Sequence, residues 1–452
     1  MGTSSTTAPH QFDRVFIGAT ALTLVMCPLL ASSRPMWPAL VALTFLASGG
    51  LVLLWRRDPL TKTEVLWGAF LLRLAFLPLL PGLSDDLYRY VWDGWLQMEG
   101  INPYRHVPKS SALAAFQDSL LFEKLNSPSY YSVYPPLTQV VFAVGGGLYT
   151  TLGWPAAYFG LKGLFIAVEF GGVVLLSRLT ATRNLLLYAW NPLVLLETAG
   201  QGHTEALLVP CLLGLVWAVR RGRGHLASLL VAAAGLIKLY PFVLGPFLLR
   251  RYGWTAVWPG TLLVGGVSLP YAAPYTLPHL MDSVALFARL FEFNAGPYYL
   301  VKSLFWGVTN ADWSKQIGPA FRGLFLLLLP VLYILDARRS WSMRRAALLT
   351  IGLFLVLSTT VHPWYLLPVL ALGVLIDRPA WPWFWLGMFS VGTYLFYIGG
   401  PYWVWIVGGW GGALVLAAWK ARRGWTTVLS EGGARLSPLH STPPEHQRSD
   451  SA

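Results

Sequence analysis

The chain has 452 residues, of which 55% are hydrophobic and 12% charged, with a mean hydropathy of +0.54 and a formal net charge of +13. A soluble protein of this size carries about 25% charged residues, so this composition excludes a water-soluble globular chain. The excess of Lys and Arg falls between apolar runs, where membrane topology places basic residues, so it does not point to nucleic acid.

Apolar runs occupy 15–30, 40–55, 65–80, 206–219, 323–335 and 411–419. A helical crossing needs about 20 residues, and these runs with their flanks supply it. A transmembrane barrel would alternate in segments of about ten residues, and this chain does not. The expected fold is all-α, a polytopic transmembrane bundle of about 12–14 helices with roughly a dozen crossings. Cys27 and Cys211 sit inside apolar runs as core residues. The first run reads as a span and not a signal peptide, because no cleavage motif follows it.

Arg14 precedes the first run, and Arg56, Arg57 and Lys62 follow the second, so residues 1–63 read as an N-terminal hairpin with both ends in the cytoplasm. The third run then goes outward and delivers Ser84, Asp85 and Asp86 to a long external loop, about 83–135. Between 136 and 203 three apolar runs are countable, 136–154, 157–176 and 184–198. That odd number conflicts with an inner location for Arg220, Arg221 and Arg223. The Asn191-Pro192 pair makes 184–198 the run expected to break. The stretch 225–249 lies between two basic clusters and carries Lys238-Leu-Tyr-Pro241 at its middle, which predicts two short helices folded back with Lys238 and Tyr240 near the tip. A second external loop is expected at about 274–318. Arg338, Arg339, Arg344 and Arg345 are then inner, His362-Pro-Trp-Tyr365 outer, Asp377-Arg378 inner, and Lys420, Arg422 and Arg423 inner. A membrane catalytic domain would thus run over 64–423, and the Ser/Pro-rich residues 424–452 read as a disordered cytoplasmic tail.

The densest polar segment is 84–105. Ser84 is a candidate N-cap with Asp85 and Asp86 in the first turn, where the helix dipole favours carboxylates. Asp86, Arg89 and Asp93 recur at spacings of three and four and should share one face. Tyr88, Trp92 and Trp95 add aromatic surface, and Gly100 with Asn102-Pro103 ends the helix. An interfacial amphipathic helix would also explain aromatics and charges here. It does not call for adjacent carboxylates at the mouth of a span. A carboxylate that takes the proton of an attacking hydroxyl does, and such general-base help is typically worth 10²–10⁴-fold. Arg89, Arg105 and Lys238 are candidate cations for a leaving lipid phosphate. Arg73, deep in the third run, either pairs with Glu169 or a backbone carbonyl, or meets substrate. In Gln201-Gly-His-Thr-Glu205, His203 and Glu205 either touch a sugar hydroxyl or cap a helix. Tyr134-Pro-Pro136 can be a rigid lead into the membrane. The aromatics of Glu292-Phe-Asn294 and of the His362 motif fit the interfacial belt. No zinc motif and no phosphate-binding glycine loop occurs, so neither a metal nor a cytoplasmic nucleotide-sugar donor is expected.

Asp85-Asp-Leu-Tyr-Arg-Tyr-Val-Trp-Asp-Gly94, followed by Gly100-Ile-Asn-Pro-Tyr104, resembles the first external loop of bacterial GT-C glycosyltransferases, and more narrowly of polyprenyl-phosphomannose-dependent mannosyltransferases. Tyr134-Pro-Pro136, Asn191-Pro192, Gly202-His-Thr-Glu205, Ile237-Lys-Leu-Tyr-Pro241 and Val361-His-Pro-Trp-Tyr365 follow in order, so the likeness covers about 60–370. The resemblance implies a cell-membrane enzyme whose first loop faces the periplasm or exterior. It would transfer a sugar, here mannose, from a polyprenyl-phosphate carrier to a lipid or glycan acceptor. It implies a loop carboxylate as base, Asp86 or Asp85, with Asp86 preferred, and no tightly held metal or other cofactor. Substrate contacts would come from Tyr88, Arg89, Trp92, Asp93, Asn102, Tyr104, Arg105, His203, Glu205, Lys238, Tyr240 and His362. The chain departs from the family in having no folded soluble domain after its last span, which disfavours a large polymer acceptor. Two other classes remain open, a lipid or solute transporter or flippase without chemistry, and an envelope scaffold. A transporter would show inverted repeats and charges near mid-membrane in both halves, and no clear repeat is visible.

Overall fold

The computed structural model describes residues 11–376 and 379–422. Asp377-Arg378, Arg423 and the tail expected at 424–452 lie outside the described residues. Everything regular within them is helical, apart from one isolated parallel bridge between Phe293 and Thr360. Helices α1 (Gln11–Ala31) and α2 (Trp37–Arg57) pack on each other, and α1 also packs against α3 (Lys62–Phe76). The start of α3 is set by a capping box, in which Glu64 N–H donates to Thr61 Oγ1 at 3.3 Å and Thr61 N–H to Glu64 at 2.7 Å. Beyond it come α4 (Asp86–Met98), α5 (Pro136–Leu152) and α6 (Trp154–Leu176).

Contact between α4 and α5 is backbone to backbone. A Cβ on Gly94 would lie 1.9 Å from the Phe142 carbonyl oxygen, and one on Gly146 would lie 2.1 Å from Gly94. Small residues allow such close helix approach in membranes, and here they hold the acid-bearing helix α4 against the bundle. Asp85 takes the N-cap position, one residue later than expected, while Ser84 Oγ accepts the Asp86 N–H at 3.3 Å. Gly100, at φ +71, lets the chain turn out of α4.

The run 184–198 is broken, as the Asn191-Pro192 pair leads one to expect. It forms Thr182–Ala189, Pro192–Leu195 and a π-helical turn Leu196–Gly200. The Asn191 side chain accepts the Leu193 N–H and so caps the piece after the break. The chain then bends by 119° into α7 (Glu205–Arg220). The fold-back after α7 is present too. Helix α8 (Gly224–Ile237) stops at Lys238, which is extended, and a 3-10 turn Tyr240–Leu244 leads into Gly245–Tyr252. Gly235 meets the ring of Phe242 and Gly224 meets that of Tyr252, so the two arms lie together along their length.

The last part of the bundle contains α9 (Ser314–Arg339), α10 (Trp381–Ser390) and α11 (Tyr402–Arg422). Among the described residues five helices (α1, α2, α6, α9 and α11) are long and apolar enough to cross a membrane, or six if Pro192–Gly200 and α7 form one bent span. The protein is an all-α polytopic membrane bundle. Its unbroken spans are nonetheless fewer than the expected dozen, because other apolar stretches are short or divided at proline. Helix α3, for example, has 15 residues, about 22 Å, and is followed by Pro78 and Pro81. Leu46, Leu71, Leu262, Leu327, Val407 and Leu414 are among the large apolar side chains left exposed, as a lipid-facing surface requires.

The bundle has two chemically different ends. Helix α6 begins beside Tyr88, whose ring stacks on Trp154, and Arg178 follows its far end. Helix α7 begins at Glu205 and ends at Arg220, and α2 ends at Arg56 and Arg57. Asp85 and Asp86 therefore lie at one end and the arginines at the other. The stretch 274–318, expected as a loop, is mostly helical (Thr276–Leu290 and Gly296–Thr309). It docks onto the first loop through His279 Nδ1, 2.7 Å from the Tyr104 carbonyl, and through the Tyr131 ring stacked on His279.

Candidate active site

At the acidic end Asp86 sits in the first turn of α4. Its Oδ1 accepts from Asn126 Nδ2 at 2.9 Å, and its Oδ2 lies 3.8 Å from His203 Nε2. The side chain is 21% exposed, so it reaches solvent on one side and touches the protein interior on the other. Asp85 is partly buried as well. Burial raises its carboxyl above the ordinary range and neighbouring Asp86 adds to this, while Arg34 and Lys124 act the other way.

His203 comes from the bend between the π-helical turn and α7. Its Nδ1 lies 3.0 Å from Glu197 Oε2, and both side chains are shut off from solvent. Glu197 also accepts from the Tyr394 hydroxyl, at 3.0 and 3.1 Å to its two oxygens. The imidazole is therefore placed between two carboxylates, one buried and one at the surface. Gln201 fastens this bend to the start of the acid segment, because its Oε1 accepts the N–H groups of Leu83 at 2.9 Å and Ser84 at 3.2 Å. π-Helical turns are rare and concentrate at functional sites; this one aims Glu197 inward.

Aromatic stacking completes the wall. His203 stacks on Trp364 at 3.9 Å, Trp364 on His362 at 4.3 Å, and His362 on Phe293 at 4.9 Å. Burial, with the nearby charge of Lys238, pushes the His362 imidazole down to about 3. It is neutral at physiological pH and supplies no counter-charge for a phosphate. Beside the stack, Lys238 Nζ lies 2.5 Å from Glu205 Oε1 and 4.4 Å from the centre of the Tyr365 ring. Asp86 is close enough to Lys238 and Tyr365 to act on both electrostatically. The Tyr240 ring stacks on Phe354, and its buried hydroxyl has no partner among the described residues.

Asp86, His203, Glu205, Lys238, Tyr240 and His362 are thus brought together. The other candidates are placed differently. Arg89 and Asp93, at 2.8 Å, form a buried pair further along α4. Arg89 also donates to the carbonyls of Ser127 and Tyr130, and Asp93 accepts from Ser132 and Gln139. The two hold the external loop closed. Asp86 does not join them, although the three share helical spacing. Trp92 is buried against Trp95 and Phe122, and Tyr88 lies on Trp154. Asn102 bridges the Tyr104 N–H and the Tyr271 carbonyl, Tyr104 donates to the Tyr134 carbonyl, and Arg105 is exposed. These seven belong to α4 and the external loop. Arg73 takes the pairing alternative: it meets Glu169 at 2.5 and 2.8 Å and donates to the carbonyls of Ala69 and Ala189.

Residues 31–252 match the family described as alpha-(1->6)-mannopyranosyltransferase, N-terminal domain. Across those residues the chain is similar to this family. The matched stretch contains Asp86, Glu197, His203, Glu205, Lys238 and Tyr240, so most of the cluster lies inside the family domain of a glycosyltransferase. No curated protein and no solved structure matches the chain.

Sequence reasoning missed Glu197, Tyr394 and Asn126. A signal existed for Glu197, the lone acid of the apolar run 184–198, since charges in such runs are rare and usually functional. The aromatics of the Phe293 and His362 motifs, expected in the interfacial belt, are instead largely buried in the stack beside His203. The hydrogen bonds of Phe293 N–H to Thr359 and of Val361 N–H to Phe293 draw the two loops together and hold the rings inside. No group of three or more potential metal ligands occurs among the described residues.

Proposed function

We propose that this glycosyltransferase-family protein is a GT-C-type mannosyltransferase that takes mannose from a polyprenyl-phosphate carrier on the outer face of the cell membrane and inverts the anomeric centre. The observation that carries the reading is the convergence of Asp86, His203 and Glu197 beside the Lys238–Glu205 pair, from segments distant in the chain. The acceptor hydroxyl attacks the anomeric carbon as the bond from that carbon to the phosphate oxygen breaks. The electron pair leaves with polyprenyl phosphate, and the hydroxyl proton goes to Asp86. His203 then shares that proton through Nε2, and Glu197 steadies the imidazolium from the other side. Lys238 lies near Asp86 and offsets the charge of the leaving phosphate. The partly exposed edge of Asp86 suits an acceptor arriving from water.

The test is transfer from labelled polyprenyl-phosphomannose by purified protein in nanodiscs. Asp86→Asn is expected to fold and to lose at least 10²-fold in kcat, and Asp85→Asn to stay within tenfold of the parent. Full activity in both single variants and the double variant refutes the mechanism. Acceptor-dependent release of polyprenyl phosphate separates an enzyme from a flippase.

A further inference from the structure

Four arginines converge at the end of the bundle opposite Asp86. Arg178 follows α6, Arg183 lies in Thr182–Ala189, Arg220 ends α7, and Arg344 lies in the helix Met343–Val356. Together with Thr180 and Asn184 they line a polar hollow of about 450 Å³. Arg220 is steadied by the Leu179 carbonyl at 3.3 Å and Arg344 by that of Leu375 at 2.6 Å. Basic residues at one end of a membrane bundle are ordinary, but they usually fan outward into water. Here three separate segments carry guanidinium groups to one concave place, and like charges so gathered favour an anion between them.

Next to the hollow, an apolar cleft of about 890 Å³ runs between α1, α2, α10 and α11, lined by residues that include Phe45, Leu53, Trp385 and Trp419. The two spaces share a wall. Trp55 lines the cleft and donates from Nε1 to Asn184 of the hollow at 2.9 Å, while the Arg183 guanidinium lies 5.5 Å from the centre of its ring. Arg56 also borders the cleft. Helix α7 separates this end from Glu205 by 16 residues, about 24 Å, so the hollow is distinct from the Asp86–Lys238 cluster.

We propose that this end binds an anionic phospholipid of the adjacent leaflet, its phosphate held by Arg178, Arg183 and Arg220 and an acyl chain laid in the cleft beside Trp55. Charge complementarity selects the headgroup, since basic pockets between membrane helices take anionic lipid headgroups. The adjoining apolar cleft selects a lipid over a free anion, which would use the hollow alone. The site clamps Thr182–Ala189, the helix that leads into the π-helical turn bearing Glu197, so an occupant would brace the segment on which His203 is hung.

Native mass spectrometry of the full chain in detergent, with no sugar donor present, tests this independently of the transfer reaction. Phosphatidylglycerol is expected to be retained at least tenfold over phosphatidylcholine with the same chains. Arg178→Gln/Arg183→Gln should abolish that preference. Gly49→Leu, at a cleft position where an added Cβ meets nothing within 4 Å, should weaken retention of the lipid without unfolding the protein. Arg338→Gln/Arg339→Gln, at exposed basic positions outside the hollow, should leave retention unchanged. The proposal is overturned if both lipids are retained equally, or if the Arg338/Arg339 variant loses as much preference as the Arg178/Arg183 variant. It is also overturned if inorganic phosphate displaces the lipid from wild type and Gly49→Leu alike, which would mark a free-anion site.

Discussion

Replacing Glu197 with Gln isolates the electrostatic part of its contact with His203. The amide keeps the shape of the side chain and can still accept from Tyr394, but it carries no charge. In the structure the carboxylate lies 3.0 Å from His203 Nδ1 with neither group exposed. A charge pair near 4 Å at an effective dielectric of 20 is worth about 4 kcal/mol. If between half and three quarters of this acts on the imidazolium formed as Asp86 hands on its proton, the barrier rises by about 2–3 kcal/mol. That corresponds to a loss of roughly 30- to 160-fold in kcat. Michaelis constants should change little, because Glu197 is fully buried and lies behind His203. Tyr394→Phe removes one hydrogen bond to Glu197 and should cost less than tenfold. The assay is steady-state transfer from labelled donor in nanodiscs, with a thermal melt to confirm folding. A Glu197→Gln protein that melts normally and retains kcat within threefold of the parent would show that the buried carboxylate takes no part.

Two further outcomes follow from buried charge. Arg73→Met leaves Glu169 without its partner in the interior, and breaking such a pair typically costs about 3–5 kcal/mol. Arg73→Met/Glu169→Leu should be less damaging than either single change in a thermal or denaturant melt; additive losses would contradict a closed structural pair. Asp85 has its carboxyl raised by burial, so the folded state holds its proton more tightly than the unfolded chain does. Its contribution to stability is therefore present at low pH and lost as pH climbs through the raised value. Asp85→Asn should melt higher than the parent at neutral pH, with the difference shrinking toward pH 4. An unchanged difference across that range would contradict the burial argument.

Much of the fold follows from features visible in the chain itself. Gly100 and Pro103 end α4, Pro192 divides its run, and Lys238-Leu-Tyr-Pro241 marks the turn of a fold-back, because each local conformation excludes a continuing helix. The pairing of Arg73 with Glu169 was legible as one of two alternatives, since an isolated charge in an apolar run needs a partner. The site was legible only in pieces. Helical spacing groups Asp86 with Arg89 and Asp93, yet Arg89 pairs with Asp93 while Asp86 meets Asn126 and His203, partners that no spacing names. Tyr394 meets Glu197 across 197 positions, and no periodicity encodes such a contact. The aromatic stack joins motifs at 203, 293 and 362–364 that are individually indistinguishable from headgroup-level rings.

Gln201 gives the acid segment a fixed gauge. Since the spacing of Asp86 from His203 is held across the bundle by one amide oxygen on two backbone N–H groups, it is not inherited from the sequence of 84–105 alone. That segment grafted onto a foreign scaffold would bring its carboxylates but leave its ruler behind. A chimera would need the 197–205 bend carried with it to set the two halves of the cluster in register.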